Sequence, residues 1–175
     1  MSEHKKLPAL QLILGGARSG KSHYAEQLAH NSELPVTYIA TARAWDDEMQ
    51  ERIKHHIAQR PDHWGNIESE IDLAASVNEH SKKNTVLLID CLTLWMMNLL
   101  HDKLDIKQHI NQLLSALQLA EGPIILVSNE ISMGVTPMGK LSRVFVDELG
   151  RFHQAIAQQA DAVTLMVAGL PLKVK

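Results

Sequence analysis

The sequence has little of several features that mark other classes of protein. It contains one cysteine in 175 residues, so no disulfide can form within the chain, and this favours a reducing compartment. No apolar run approaches the roughly 18 residues that a membrane-spanning helix needs. The net charge of -3 and the lack of a basic cluster give no electrostatic basis for binding nucleic acid. These absences predict a cytoplasmic protein with no membrane span and no nucleic-acid partner.

The remaining composition is that of a globular protein. A hydrophobic content of 45% with charges of both signs suffices for one core. Residues 1–7 lack the apolar region of a secretory signal, and we interpret them as a frayed leader. We therefore expect residues 1–175 to form a single domain.

One stretch organises the chain: an apolar run followed by Gly-x-x-x-x-Gly-Lys-Ser at residues 15–22. This is the P-loop pattern, in which glycines let several backbone N–H groups converge on one polyphosphate. Lys21 would supply positive charge to the β- and γ-phosphates, and the Ser22 hydroxyl would bind Mg²⁺. The helix that follows adds the positive end of its dipole. The pattern predicts binding of a nucleoside triphosphate.

Short apolar segments alternate with helical ones along the rest of the chain. We predict strands at 9–14, 36–40, 85–90, 123–128 and 162–168, and helices at 21–30, 46–60, 92–102, 105–120 and 140–160. We expect a looser segment at 62–84, with a helix near 70–79, and an edge strand or hairpin partner at 170–175. This order predicts an α/β, three-layer P-loop NTPase fold, with a mostly parallel central sheet and helices on both faces.

Polar residues stand where the predicted strands end: Gly15, Thr41, Asp90, Asn129 and Glu130. Ligands bind beyond the carboxyl ends of the strands in such sheets, so we expect the active site at this edge. Asp90 closes an apolar strand, as does the Walker B acid that holds Mg²⁺ in P-loop proteins. The alternative for Asp90 is an ordinary acid that caps the next helix.

The predicted helix over 46–60, N-capped by Asp46 and ended by Pro61, carries a second candidate site. Arg52 and His56 are four residues apart and share one face, with Arg60 at the end of the helix. A neutral imidazole beside guanidinium groups suits nucleophilic attack on a phosphoryl group. The alternative is a solvated helix with two surface histidines. His55 and His56 point about 100° apart on a helix, which argues against a shared metal ion.

Taken together, these stretches resemble the bifunctional adenosylcobinamide kinase/adenosylcobinamide-phosphate guanylyltransferase family of cobalamin assembly. The resemblance covers nearly the whole chain, and the His-bearing segment at this distance after the P-loop is its most specific part. The matching stretches are residues 15–22, 38–41, 47–49, Arg52-Ile53-x-x-His56, Arg60-Pro61, Trp64, Glu68, Asp90-Cys91-Leu92-Thr93, Asn129-Glu130, Met133-Gly134 and Pro137.

The resemblance implies two reactions on one protein. A nucleoside triphosphate first phosphorylates the terminal hydroxyl of adenosylcobinamide. GTP then transfers GMP to a histidine with release of pyrophosphate, and the GMP passes to adenosylcobinamide phosphate to give adenosylcobinamide-GDP. The implied partners are adenosylcobinamide and its phosphate, GTP and ATP, with Mg²⁺ as cofactor and a homotrimer as the assembly.

The resemblance also assigns roles to single residues. The guanylylated histidine falls on His56, with His55 as the runner-up, and Lys21 and Arg52 complete the catalytic set. The implied nucleotide contacts are Gly15, Gly16, Ala17, Arg18, Ser19, Gly20, Lys21, Ser22, Ala40, Thr41, Ala42, Ile57, Ala58, Gln59, Arg60, Glu68 and Asp90. Ser22 and Asp90 are the expected metal ligands.

The chain departs from the family pattern in its C-terminal third. Met138 stands where an acidic residue is expected, Val146 where arginine is usual, and His153 where asparagine is usual. Two other functions fit the P-loop alone: a plain small-molecule kinase, in which His56 is structural, and a nucleotide-dependent switch. Neither would form a covalent nucleotide adduct.

Overall fold

A computed structural model of the chain describes residues 7–44, 47, 51 and 60–175. Asp47 and Glu51 of the predicted helix over 46–60 are helical, and Arg60 is not. The other residues of that prediction, Asp46, Arg52, His55 and His56 among them, lie outside the described residues, as do Ile57, Ala58 and Gln59.

The described residues form seven strands and five helices. The strands are β1 (Leu10–Gly15), β2 (Val36–Ala40), β3 (Gly65–Glu68), β4 (Val86–Asp90), β5 (Ile124–Asn129), β6 (Ala162–Val167) and β7 (Leu170–Lys173). The helices are α1 (Lys21–His30), α2 (Leu73–His80), α3 (Leu92–His101), α4 (Ile106–Leu119) and α5 (Lys140–Gln159). All five helices lie close to predicted positions, with ends that differ by up to three residues.

The strands form one sheet in the order β3-β2-β4-β5-β1-β6-β7. Every neighbouring pair is parallel except β6 and β7, which form an antiparallel hairpin. The hairpin confirms the partner predicted for residues 170–175. The carboxyl ends of β1 to β6 therefore meet at one edge of the sheet, which is the edge predicted for the site.

β3 is the element that sequence reasoning missed. Residues 65–68 fall in the segment predicted to be loose, yet they pair with β2 in parallel from Thr37–Gly65 to Ala40–Glu68. The strand is short, lies at the sheet edge and is mostly exposed, so it lacks the apolar run that identifies a buried strand. The following helix begins at Leu73, later than the predicted start near residue 70.

Apolar residues fill both faces of the sheet. α1 covers one face, where Ala25 and Ala29 pack with Tyr38 and Trp64. Helices α2 to α5 cover the other face around Trp95 and Phe152, whose ring centroids are 5.6 Å apart. β4 is buried on both sides, which explains why its sequence is apolar until its last residue. None of the described helices combines the length and apolar character needed to cross a membrane.

Two glycines provide a matched test of this packing. A Cβ on Gly122 would lie 2.1 Å from the Lys82 carbonyl oxygen and 2.6 Å from that of Thr85, whereas one on Gly150, inside α5, meets nothing within 4 Å. We predict that Gly122→Ala lowers the free energy of unfolding by about 1–3 kcal/mol through overpacking. Gly150→Ala should raise it by about 0.5–1 kcal/mol through helix propensity. Thermal or urea unfolding measures both, and equal effects of the two substitutions would contradict this packing.

Candidate nucleotide-binding site

The turn between β1 and α1 has the backbone that a P-loop requires. A Cβ on Gly15 would lie 2.5 Å from Ser19 Oγ and 2.8 Å from the Met166 carbonyl oxygen, so only glycine fits there. Gly20 has φ of 89°, in the left-handed region that glycine enters without strain, and it immediately precedes α1. The loop is therefore folded tightly against the end of β6, with α1 beginning at Lys21.

Lys21 lies within this loop. It is only 7% exposed, and its Nζ donates to the Gly16 carbonyl oxygen at 2.5 Å and to Ser19 Oγ at 3.5 Å. Burial lowers the pKa of Lys21, and the negative charge of Asp90 opposes that shift. The ammonium group is thus held among P-loop atoms, where the phosphates of a nucleotide would provide the compensating charge. Ser22 follows it in the first turn of α1 and is partly buried.

Asp90 lies at the end of β4, on the same side of the sheet as α1. Its Oδ2 accepts a hydrogen bond from Tyr38 Oη at 3.0 Å, and the phenol is 3% exposed. Burial, with the nearby charge of Asp90, raises the pKa of Tyr38 well above its usual value, so the hydroxyl remains a donor. The alternative role of Asp90, as the cap of the next helix, is wrong. Cys91 is the N-cap residue of α3, and no side-chain hydrogen bond to that N-terminus is found among the described residues.

Arg60 reaches the same corner of the site. Its guanidinium carbon lies 3.4 Å from the centroid of the Tyr38 ring, and Nη1 donates to Asn66 Oδ1 at 2.9 Å. Burial raises the pKa of Glu26 on α1, and the charge of Asp90 adds to that shift while Arg60 opposes it. The positive charge of Arg60 therefore opposes, without cancelling, the negative charge of Asp90 and Glu26 on this side of the sheet.

The strand order sets the distance between the P-loop, at the end of β1, and Asp90, at the end of β4. β5 separates β4 from β1, so Asp90 is two strand spacings, about 10 Å, from the P-loop strand. Gly15 pairs with Asn129, and the Glu130 amide donates to the Gly15 carbonyl oxygen at 2.9 Å. Residues 129 and 130 consequently lie between the P-loop and Asp90.

The other predicted nucleotide contacts are distributed unevenly. Ala40 pairs with both Asp90 and Glu68, so residues 40–42 begin beside Asp90. The Thr41 hydroxyl donates to the Cys91 carbonyl oxygen at 2.6 Å and accepts from the Cys91 amide at 2.8 Å, which ties β2 to β4. Glu68 is exposed and four strand spacings, about 19 Å, from β1. The structure thus places Glu68 beyond Asp90, far from Lys21.

A buried polar network that sequence reasoning missed supports the end of β5. Thr93 Oγ1 accepts from the Asn129 amide at 2.7 Å and lies 3.0 Å from Ser128 Oγ. Ser128 Oγ lies 2.8 Å from His153 Nε2, and the network joins α3, β5 and α5. Ser128 and Thr93 are polar positions at the ends of apolar segments, and this pattern is the signal that could have identified them. His153, noted in the sequence only as a departure, is buried.

The residues present fit a magnesium site shared with a nucleotide. Ser22 offers a hydroxyl oxygen and Asp90 a carboxylate oxygen, and Mg²⁺ prefers both donor types. No group of three or more His, Cys, Asp or Glu residues that could hold a metal occurs within the described part of the chain. This suits an ion that takes one or two protein ligands and relies on substrate phosphates for the rest. Cys91 offers no thiolate, since burial raises its pKa to about 12.

Comparison with known proteins identifies the family. Residues 11–174 match the family described as cobinamide kinase / cobinamide phosphate guanyltransferase. The chain belongs to this family. The resemblance seen in the motifs is therefore confirmed, and the chain is an enzyme of the kinase and guanyltransferase class.

Two curated relatives align over almost their whole length. The bifunctional adenosylcobalamin biosynthesis protein CobP of Pseudomonas aeruginosa is 52% identical over 166 residues, covering 94% of this chain and 96% of the relative. Its counterpart CobU of Escherichia coli is 38% identical, covering 94% of this chain and 98% of the relative. This chain is therefore similar to both relatives over almost their full length, as well as in sequence.

Solved structures confirm the fold alone. The flagellar accessory protein FlaH from Methanocaldococcus jannaschii has a TM-score of 0.55 at 16% identity, covering 97% of this chain and 80% of that chain. The type III secretion ATPase EscN of enteropathogenic E. coli has a TM-score of 0.57 at 11% identity, covering 92% of this chain and 43% of that chain. The predicted P-loop NTPase fold is confirmed by these similarities.

We predict that Lys21→Ala abolishes both activities and leaves the fold intact. Lys21 Nζ contacts P-loop oxygens, so its loss removes charge from the polyphosphate site. Turnover should fall on the order of 10²-fold or more, a loss typical of one removed transition-state contact. Steady-state assays of both reactions measure it, with circular dichroism as the control for folding. Normal turnover in this variant would contradict the assignment of residues 15–22 as a P-loop.

We predict that Asp90→Asn weakens binding of the divalent ion to the enzyme–nucleotide complex more than it weakens the fold. The amide oxygen of asparagine can still accept from Tyr38 Oη, so the buried contact persists while the negative charge is lost. Electron paramagnetic resonance of Mn²⁺ with GTP-loaded enzyme measures the ion affinity, and thermal melting measures stability. An unchanged Mn²⁺ affinity would show that Asp90 is no metal ligand.

Proposed function

We propose that this enzyme phosphorylates adenosylcobinamide with a nucleoside triphosphate and then transfers GMP from GTP, through a histidine, to the resulting phosphate. The observation that carries this proposal is the juxtaposition, in a chain of this family, of a closed P-loop holding Lys21 with Asp90 two strands away. The products are adenosylcobinamide-GDP and pyrophosphate.

The kinase step uses the residues at the sheet edge. The oxygen of the substrate hydroxyl bonds to the γ-phosphorus, the bond to the β-phosphate oxygen breaks, and the hydroxyl proton leaves. Lys21 and the loop amides offset the charge of the transferred group and the leaving diphosphate. Mg²⁺, held by Ser22 and Asp90, would supply further charge neutralisation when bound. ATP and GTP both carry the triphosphate that this cradle binds.

The guanylyl step uses the histidine segment. A neutral His56 nitrogen attacks the α-phosphorus of GTP, and pyrophosphate leaves. An oxygen of adenosylcobinamide phosphate then attacks the same phosphorus, the P–N bond breaks, and His56 is regenerated. Arg52 is four residues before His56 in the sequence, and one helical turn would let it stabilise the charge on the phosphoryl oxygens. Both residues lie outside the described ones, so the family motif supports their roles.

The described residues on each side of that segment support its attachment to the site. Arg43, which precedes it, donates from Nε to Glu70 at 2.6 Å and makes a bidentate contact with Asp102 at 3.0 Å. Arg43 lowers the pKa of the Asp102 carboxyl to about 2. Arg60, which follows the segment, stacks on Tyr38 beside Asp90. Both ends of the segment are therefore anchored at the carboxyl edge of the sheet.

Several further properties belong to the same proposal. The nucleotide contacts are the P-loop, residues 40–42, Ile57, Ala58, Gln59 and Arg60, Glu68 and Asp90, with Glu68 at the far end of the site from Lys21. The chain acts as one domain, assembles as a homotrimer and works in the cytoplasm without a nucleic-acid partner. Size-exclusion chromatography with light scattering tests the trimer.

The distinguishing prediction concerns His56. His56→Ala should eliminate the GMP–protein adduct and guanylyl transfer yet retain much of the kinase activity, because γ-phosphoryl transfer needs no protein nucleophile. The measurement is incubation with α-labelled GTP followed by a denaturing gel, on which the label should be acid-labile and base-stable. Kinase activity is assayed in parallel.

His55→Ala is the matched control and should keep the adduct. Loss of adduct in His55→Ala with retention in His56→Ala would move the nucleophile by one residue. Adduct in the double variant would defeat the histidine mechanism, and a plain kinase would show no adduct even in the wild-type enzyme.

A further inference from the structure

Glu130 occupies a position at the sheet edge that the kinase chemistry above leaves unassigned. It directly follows β5, the strand between the P-loop strand and the Asp90 strand. Its amide donates to the Gly15 carbonyl oxygen at 2.9 Å, so its backbone is fixed to the first P-loop residue. The side chain is 13% exposed, so part of it is accessible to solvent.

The two oxygens of the Glu130 carboxylate have different surroundings. Oε1 accepts from the Ser132 amide at 2.6 Å and also contacts the Ser132 hydroxyl. Oε2 faces His153 Nδ1 at 4.0 Å. One oxygen therefore holds the local turn, while the other faces a buried imidazole.

The buried network determines which nitrogen of the His153 imidazole carries the proton. Thr93 Oγ1 already accepts from the Asn129 amide, so its proton is available to Ser128 Oγ. Ser128 can then donate to His153 Nε2, which leaves the imidazole proton on Nδ1, the nitrogen that faces Glu130. Burial also lowers the pKa of His153, which favours the neutral ring with one proton. A hydrogen-bond chain of this polarity orients the donor toward the carboxylate.

We propose that Glu130 is the general base of the kinase step and that His153, whose tautomer is set by Ser128, is its positioning residue. This inference rests on the proposed function. As the substrate oxygen bonds to the γ-phosphorus, the hydroxyl proton passes to Glu130 Oε2, the bond to the β-phosphate oxygen breaks, and the nucleoside diphosphate leaves. Guanylyl transfer to a neutral histidine removes no substrate proton and needs no such base.

The test compares Glu130→Gln with the wild-type enzyme in two assays. Glutamine keeps an oxygen that can accept from the Ser132 amide but has little capacity to take a proton, so it separates the base from the turn contact. We expect the kinase kcat to fall about 10²- to 10³-fold, the range for a lost general base, with the KM for ATP changed by less than about threefold. Formation of the adduct from α-labelled GTP without corrinoid should stay within about threefold.

Ser132→Ala is the matched control, because it removes the hydroxyl contact to Oε1 and leaves the carboxylate. It should keep kinase kcat within about threefold of wild type. His153→Leu should lower kinase kcat more than adduct formation, and His153→Asn should recover part of the difference, since an amide can again hydrogen-bond Ser128. The ratio of the two activities is the readout, because simple loss of stability would lower both.

The outcomes separate this inference from the function on which it rests. If Glu130→Gln keeps the wild-type kinase kcat, Glu130 only stabilises the local turn, and its assignment as general base is wrong. Equal loss of kinase activity and adduct formation would make Glu130 a support for the P-loop and overturn it as well. If the wild-type enzyme does not phosphorylate adenosylcobinamide, the proposed function is wrong, and so is the general-base role of Glu130.

Discussion

The parallel backbone ladder through β4, β5 and β1 is the constraint on which the site depends. Its register pairs Asp90 with Val127 and Gly15 with Asn129, so three strand ends reach the same edge together. A shift of one residue along any of these strands would move its side chains to the other face of the sheet. The close-packed side chains on both faces oppose such a shift, because each fits its own neighbours. Core packing therefore positions the P-loop and Asp90 at the edge of the sheet.

The proposed function requires two kinds of chemistry at one edge of the sheet. The P-loop and Asp90 suit transfer of a terminal phosphoryl group, in which charge stabilisation is the main requirement. Attack on the α-phosphorus requires a nucleophile at a different point along the same triphosphate. Arg43 contacts Glu70 and Asp102, and Arg60 contacts Tyr38 and Asn66, so the described residues on either side of the histidine segment are fixed near this edge. In the proposed function, a second activity is thus added without a second nucleotide-binding fold.

The features that could be predicted are those encoded by residues close together in the sequence. The P-loop, the apolar strands and the Asp90 strand end all follow from residue spacing, and the structure confirms the elements that carry them. Residue spacing did not reveal β3, because an exposed edge strand lacks an apolar run, nor the Tyr38–Asp90 bond, which joins residues 52 apart. The Thr93–Ser128–His153 network is also non-local, since it requires knowing which helix covers which strand. The family motif supplied His56, which no spacing rule separates from a surface histidine.

In the proposed function, one P-loop serves both reactions. The experiment that checks this is inhibition by a non-hydrolysable ATP analogue, measured separately on adenosylcobinamide phosphorylation and on GMP–protein adduct formation. A single competitive site gives the same inhibition constant in both assays, because that constant is the dissociation constant of the analogue. Equal constants are therefore expected. Inhibition of phosphorylation without inhibition of adduct formation would contradict it and require a second nucleotide site.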